Sequence, residues 1–139
     1  MTNYSQSRYE LVANAHEWAV SKLCAGEHVQ GLLVSNHPNG KQMTKYEFET
    51  TEASLARCQA ELSGELADAT EYAFVYSALL KDGNDTTPVL VFRMEQRGAH
   101  AASQFIQRYV LKKRFLSSRL KFTPLEDFQA QPAGTPWLK

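Results

Sequence analysis

Side chains able to do chemistry are spread thinly along this chain of 139 residues. The histidines, His16, His28, His37 and His100, have no spacing that would gather them on a metal ion. His16 is followed by Glu17 in a helical pattern, but a zincin-type helix needs a second His four positions on, and position 20 is Val. His16 falls instead on the apolar stripe, where a histidine satisfied by hydrogen bonds at the rim of a core is the commoner role. No metal is therefore expected. The serines and cysteines lack a nucleophile elbow of the G-x-S-x-G kind, and Arg57 beside Cys58 points to a different face of its helix. The glycines are scattered and trace neither G-x-G-x-x-G nor a P-loop, so nucleotide chemistry and, more generally, a cofactor are not expected.

One carboxyl group stands apart. Glu95 lies between Arg93 and Arg97 in an extended pattern that turns all three to one face. The expected role is a surface ion pair of small energetic value, and the alternative is a catalytic carboxylate at the mouth of a cleft between sheet and helices. His16, Glu17, Arg93 and Glu95 are thus the catalytic candidates of an enzymatic or small-ligand reading, which ranks second.

Charge distribution is less ordinary than composition. Formal net charge is zero and the pI is near 6.9, which disfavours dedicated nucleic-acid or membrane binding. Yet from Gln96 to Leu125 there is no acidic residue, while Arg97, Arg108, Lys112, Lys113, Arg114, Arg119 and Lys121 are all basic. Arg108, Lys112, Lys113, Arg114 and Arg119 are accordingly the candidate binding residues. On a strand, Arg108, Lys112 and Arg114 share a face with Ile106 and Val110, and Lys113 joins Phe105, Tyr109 and Phe115 on the other. Interleaved cations and rings suit single-stranded nucleic acid. They equally suit a guarded edge strand, or a face that meets the acidic remainder in a partner or in a homodimer. The last two readings are favoured.

The elements that must position these residues follow from periodicity. Tyr9, Val12, His16, Ala19 and Leu23 recur at helical steps, so a helix capped by Ser7 is expected to run to about Ala25 and stop at Gly26. A strand from His28 to Ser35, the Asn39-Gly40 hairpin signal and a return strand over Lys41 to Thr50 with Tyr46 and Phe48 on one side come next. Thr51 reads as the N-cap of a second helix carrying Leu55, Cys58, Leu62 and Leu66 to about Ala67, weakened near its end by Gly64. Glu71 to Leu80 and Pro88 to Gln96 flank Lys81-Asp82-Gly83-Asn84-Asp85 and form a second hairpin. Their continuous apolar runs place both strands centrally, with both faces covered. Residues 101–116 fit a helix or a strand; the concentration of Phe, Ile, Tyr and Val and the missing helix cap select a strand over Ser103 to Lys113. Leu120 to Leu125 adds a short edge strand ending at Pro124.

The expected architecture is α+β in the order α-β-β-α-β-β-β with that short last strand, a mainly antiparallel sheet of about five strands, and both helices on one face. Residues 1–128 form a single domain and 129–139, with Pro132, Gly134 and Pro136, an irregular tail in which Trp137 either docks or frays. The expected core includes Val12, Leu55, Leu62, Phe74, Val89 and Val91. No signal peptide or membrane span is legible, and Cys24 and Cys58 read as small buried hydrophobes, all of which suits a cytoplasmic protein. The function expected is that of a non-enzymatic binding or adaptor domain that recognises a protein partner or associates with itself.

Overall fold

A computed structural model describes residues 3–47, 50–98, 102–114, 116–131 and 137–138, with the backbone alone for 3–8 and 82. Helix α1 (Asn3–Cys24) leads into the hairpin β1 (Leu32–His37) and β2 (Gly40–Lys45), helix α2 (Thr51–Leu62), and strands β3 (Glu71–Asp82), β4 (Asp85–Gln96), β5 (Ser103–Lys113), β6 (Leu120–Pro124) and β7 (Gln129–Gln131). The class is α+β. All pairings are antiparallel, in the order β2-β1-β3-β4-β5-β6, and β7 shares the outer edge of β5 with β6. The sheet has seven strands: the five expected, the expected short last strand as β6, and one more. The added one, β7, lies within the stretch expected to be irregular.

The helices cover opposite faces of the sheet, not the same one. Leu11, Ala15, Ala19 and Leu23 of α1 pack on Leu32, Val34, Ala73, Val75, Leu90 and Phe92. Cys58 and Leu62 of α2 pack with Leu33, Tyr72 and Phe74, whose side chains alternate to the other side. The reason is in the strands: Leu32-Leu33-Val34 and Ala73-Phe74-Val75 are apolar at every position, and each face needs its own cover.

Element limits shift for local reasons. The α1 stripe is Leu11, Ala15, Ala19 and Leu23, a row of four-residue steps whose alanines let the helix approach the sheet, while Tyr9 faces solvent. The helix also begins at Asn3, which puts Ser7 inside it rather than at its cap. Strand β1 starts at Leu32 and β2 ends at Lys45. With His37 paired to Gly40, the turn residues are Pro38 and Asn39 instead of Asn39 and Gly40. Thr50, not Thr51, caps α2 by accepting from the Ala53 N–H, and the helix stops at Leu62, before Gly64. The second hairpin extends as far as Asp82 and Asp85, closing on Gly83-Asn84. Gly83 takes φ +66° at the first of these two positions, where a type II′ turn needs glycine. Strand β5 has the limits expected.

Phe48, His100, Phe115 and the punctuating Pro132, Gly134 and Pro136 lie outside the described residues. Of the expected core, Leu62, Phe74, Val89 and Val91 are buried, and Val12 and Leu55 are partly buried against it. Gly31 shows how tight the α2 face is: a Cβ there would lie 2.9 Å from Phe74 Cζ.

Leu62→Ala is expected to cost about 2–5 kcal/mol, through lost burial and the cavity left under α2. A urea melt reads it, and a shift under about half a kcal/mol would remove α2 from the core.

Candidate functional site

Of the four catalytic candidates, the structure brings only Arg93 and Glu95 together. His16, on α1, donates a hydrogen bond from Nε2–H to Gln107 Oε1 at 2.8 Å. Its ring stacks on Phe92 and meets the edges of Phe122 and Phe128, with centroids 5.8–6.1 Å apart. It is a rim histidine satisfied by the fold, on the face opposite Glu95. Glu17, its neighbour, is exposed.

Glu95 is not a surface ion-pair residue. It is 1% exposed, and Arg93 is buried beside it. The reason is topological: β4 is flanked by β3 and β5, so its odd-numbered side chains enter the α2 layer. The Arg93 Nε–H donates to the Tyr72 hydroxyl at 2.9 Å, and that hydroxyl donates to Glu95 Oε1 at 2.9 Å. The backbone N–H groups of Trp137 and Leu138 complete the set at 2.9 and 3.1 Å. The Trp137 ring stacks on Tyr72 and lies 3.9 Å over the Arg93 guanidinium. Trp137-Leu138 therefore docks, as a lid over a charged cluster. Burial raises the Tyr72 phenol well above its usual range and, on the same face, raises those of Tyr46 and the Cys58 thiol. Cys58 is thus a protonated, inert thiol.

A third constellation escapes sequence reasoning because its members are 31 residues apart. His37 Nδ1 lies 2.6 Å from Asp68 Oδ1, and His37 Nε2 lies 2.7 Å from Ser35 Oγ. The carboxylate fixes the Nδ1–H tautomer, so Nε2 accepts from the serine hydroxyl. This is the connectivity of a hydrolase triad with its polarity reversed: Asp68 is 60% exposed, whereas Ser35 is 0% exposed. Strand β1 is paired on both sides at Ser35, with Gln42 and with Tyr72, so its amide is part of the ladder rather than an oxyanion donor. No described hollow reaches the serine; the described ones cluster around His28. The relay instead ties the α2–β3 connection to β1. Arg97 pins the same connection by donating to the carbonyls of Ala67 and Ala69.

The basic stretch divides in two. Arg97 is taken up by those carbonyls, and Arg108 Nε is 3.2 Å from Glu126 Oε1 in an ion pair. The remaining cations gather where the β5–β6 hairpin ends. Lys112, Lys113, Arg114, Arg119 and Lys121 are all exposed, and Leu116 between them is 91% exposed with φ +59°. Lys112 and Lys121 are direct register partners. Like charges so placed destabilise a strand pair, and neither lysine forms an ion pair with a described residue.

Among the described residues no group of three His, Cys, Asp or Glu could hold a metal ion, and no helix is long and apolar enough to cross a membrane. No protein-family model matches the sequence, and neither curated proteins nor solved structures match it.

Two measurements test the buried cluster. Glu95→Ala leaves the Tyr72 hydroxyl and two backbone N–H groups without their acceptor and is expected to cost about 3–5 kcal/mol in a urea melt; a cost below about 1 kcal/mol would show the cluster to be incidental. The raised phenols and thiol bind protons more tightly in the folded than in the unfolded state. Stability is therefore complete below roughly pH 9 and falls as pH rises through the unfolded-state values of about 9–10. Tyr72→Phe should make the alkaline fall of unfolding free energy shallower by up to about 1.4 kcal/mol per pH unit. An unchanged slope would contradict the burial of that phenol.

Proposed function

We propose that this domain is a non-enzymatic binding module and that the end of the β5–β6 hairpin is its contact surface, meeting an acidic protein surface that a second copy of the chain also offers. The observation that carries this reading is Lys112 opposite Lys121 beside an exposed Leu116. A fold under selection for stability alone has no reason to set two lysines against each other and leave a leucine in water between cations. Outside the basic stretch, eight basic residues face fifteen acidic ones, so the rest of the molecule is acidic. The charge separation orients an encounter and favours one docking register. The relay around His37 does not favour hydrolysis, because its serine faces the interior. Free thiols at Cys24 and Cys58 suit a reducing, cytoplasmic setting.

The test is sedimentation velocity of the wild type and of the double variant K112E/R114E at low and high salt. The wild type is expected to associate at low salt and to dissociate as salt screens the contact, and the double variant to remain a monomer with unchanged circular dichroism. Wild-type protein that is monomeric at every salt concentration overturns self-association. Sub-micromolar, salt-sensitive binding of a single-stranded oligonucleotide that the double variant loses would replace this reading with a nucleic-acid one.

A further inference from the structure

We infer that the hollow beside the end of α1 is a binding site for a single-chain aliphatic carboxylate, with the chain lying on the sheet and the head group held by Lys113 and Arg119. The hollow has a volume of about 490 Å³, within the roughly 300–1,000 Å³ usual for small-molecule sites. Its origin is a mismatch of lengths. Helix α1 stops at Cys24 and Gly26, at φ +80°, turns the chain away, while β3, β4 and the β5–β6 hairpin continue past the helix. The side chains beyond the helix end remain apolar. Leu79, Pro88, Tyr109, Leu111 and Leu120 line the floor and Leu23 the helix side. Leu79 is 69% exposed, so a shelf of hydrocarbon is left without cover.

Charge then selects the occupant. The wall formed by β5 and β6 belongs to the segment without an acidic residue. Lys113 is the register partner of Leu120 and lies two positions beyond Leu111 on the same face of β5. Arg119 reaches back to α1, its Nη2 donating to the Ser21 carbonyl at 3.4 Å. That long contact sets the guanidinium beside the last turn of α1, whose Leu23 lines the hollow, and uses one of its five donors. Glu27, the acidic group among the lining residues, turns to Lys22 at 3.5 Å, an ammonium it shares with Glu47 at 3.6 Å. Of the other polar lining residues, Ser77 Oγ donates to the Val29 carbonyl, and His28 and Thr51 complete the lining. An apolar floor with cations at one wall fits a ligand with a hydrocarbon body and one anionic head. A neutral or cationic amphiphile of the same length would lack the head-group contacts.

This site lies on the face of the sheet that carries Leu111 and Lys113, whereas the association surface was proposed from Lys112 opposite Lys121 beside Leu116, on the hairpin's other face and tip. The test is titration of the full chain with laurate below its micelle concentration, followed by calorimetry and amide NMR shifts, with dodecyltrimethylammonium as the oppositely charged control. Laurate is expected to bind one to one with a Kd below about 1 mM, shifting the amides of Leu79, Leu111 and Leu120, and the cationic control at least about tenfold more weakly. The double variant K113E/R119E, changed only at exposed positions, should reverse that preference. Equal affinity for the two amphiphiles, no binding of laurate, or shifts centred on His16 instead would overturn the proposal. So would a wild type that ignores laurate but sediments with vesicles containing phosphatidylglycerol, since that assigns the cations to a lipid surface. A wild type that associates in a salt-dependent way but does not bind laurate would defeat this proposal alone; one that binds laurate but stays monomeric would defeat the self-association reading alone.

Discussion

A carboxyl group with almost no solvent exposure, on a strand flanked by two others, sets the terms for half of this molecule. Water cannot reach Glu95, so its acceptors must be filled from within, and the donors come from Tyr72 on β3 and from the backbone at Trp137 and Leu138. Tyr72 can serve only because it is the register partner of Glu95, as Phe74 is of Arg93. A slip of one residue between β3 and β4 would turn Glu95 into the hydrocarbon under α1 and unmake the network in the same step. The buried polar group thus specifies pairing as well as tolerating it. It also accounts for the placement of Trp137, whose ring spreads over the Arg93 guanidinium.

The two faces of the sheet are consequently unlike. Under α1 the packing is aliphatic and aromatic, with the His16–Gln107 bond at its rim. Under α2 the same strands carry the Tyr72–Arg93–Glu95 chain and the Ser35–His37–Asp68 tie. Polar side chains are consumed internally on that side, and Arg97 and Arg108 are likewise engaged by carbonyls and by Glu126. The other cations of the basic stretch, which have no carboxylate partner among the described residues, stand at the far end of the β5–β6 hairpin. The functional surfaces proposed above lie there, away from the residues whose types first suggested chemistry.

Most of the architecture was legible in the chain. The class, the order of elements, the β3–β4 hairpin and the limits of β5 follow from periodicity and turn chemistry, since those signals are local. The side of the sheet each helix takes does not follow from helix patterns, although the unbroken apolar runs of β1 and β3 already required cover on both faces. Asp68 could not be tied to His37, because a contact across 31 residues leaves no trace in either neighbourhood. Glu95 stands out in the sequence, but alternation between arginines reads as a wet strand face, and the residue is buried. The apolar run Val89 to Phe92 already places β4 centrally, but nothing in the sequence shows that its burial continues as far as Glu95. The irregular composition after Phe128 concealed β7 for a similar reason, since a three-residue strand is defined by its partner, Gln104 to Ile106, rather than by its own sequence.

The separation of the layers has a practical side. Each face of the sheet carries its own indole: Trp18 on α1, with the ammonium groups of Lys22 and Lys45 at 5.5 and 6.0 Å, and Trp137 on the α2 side, stacked on Tyr72. Stacking on a phenol beneath a guanidinium and flanking by ammonium groups at a half-exposed helix position are different environments for an excited indole. The molecule therefore contains two indole fluorophores that report on different layers. Single-tryptophan versions of the chain would let the departure of α1 and the lifting of the 137–138 segment be followed as separate optical events.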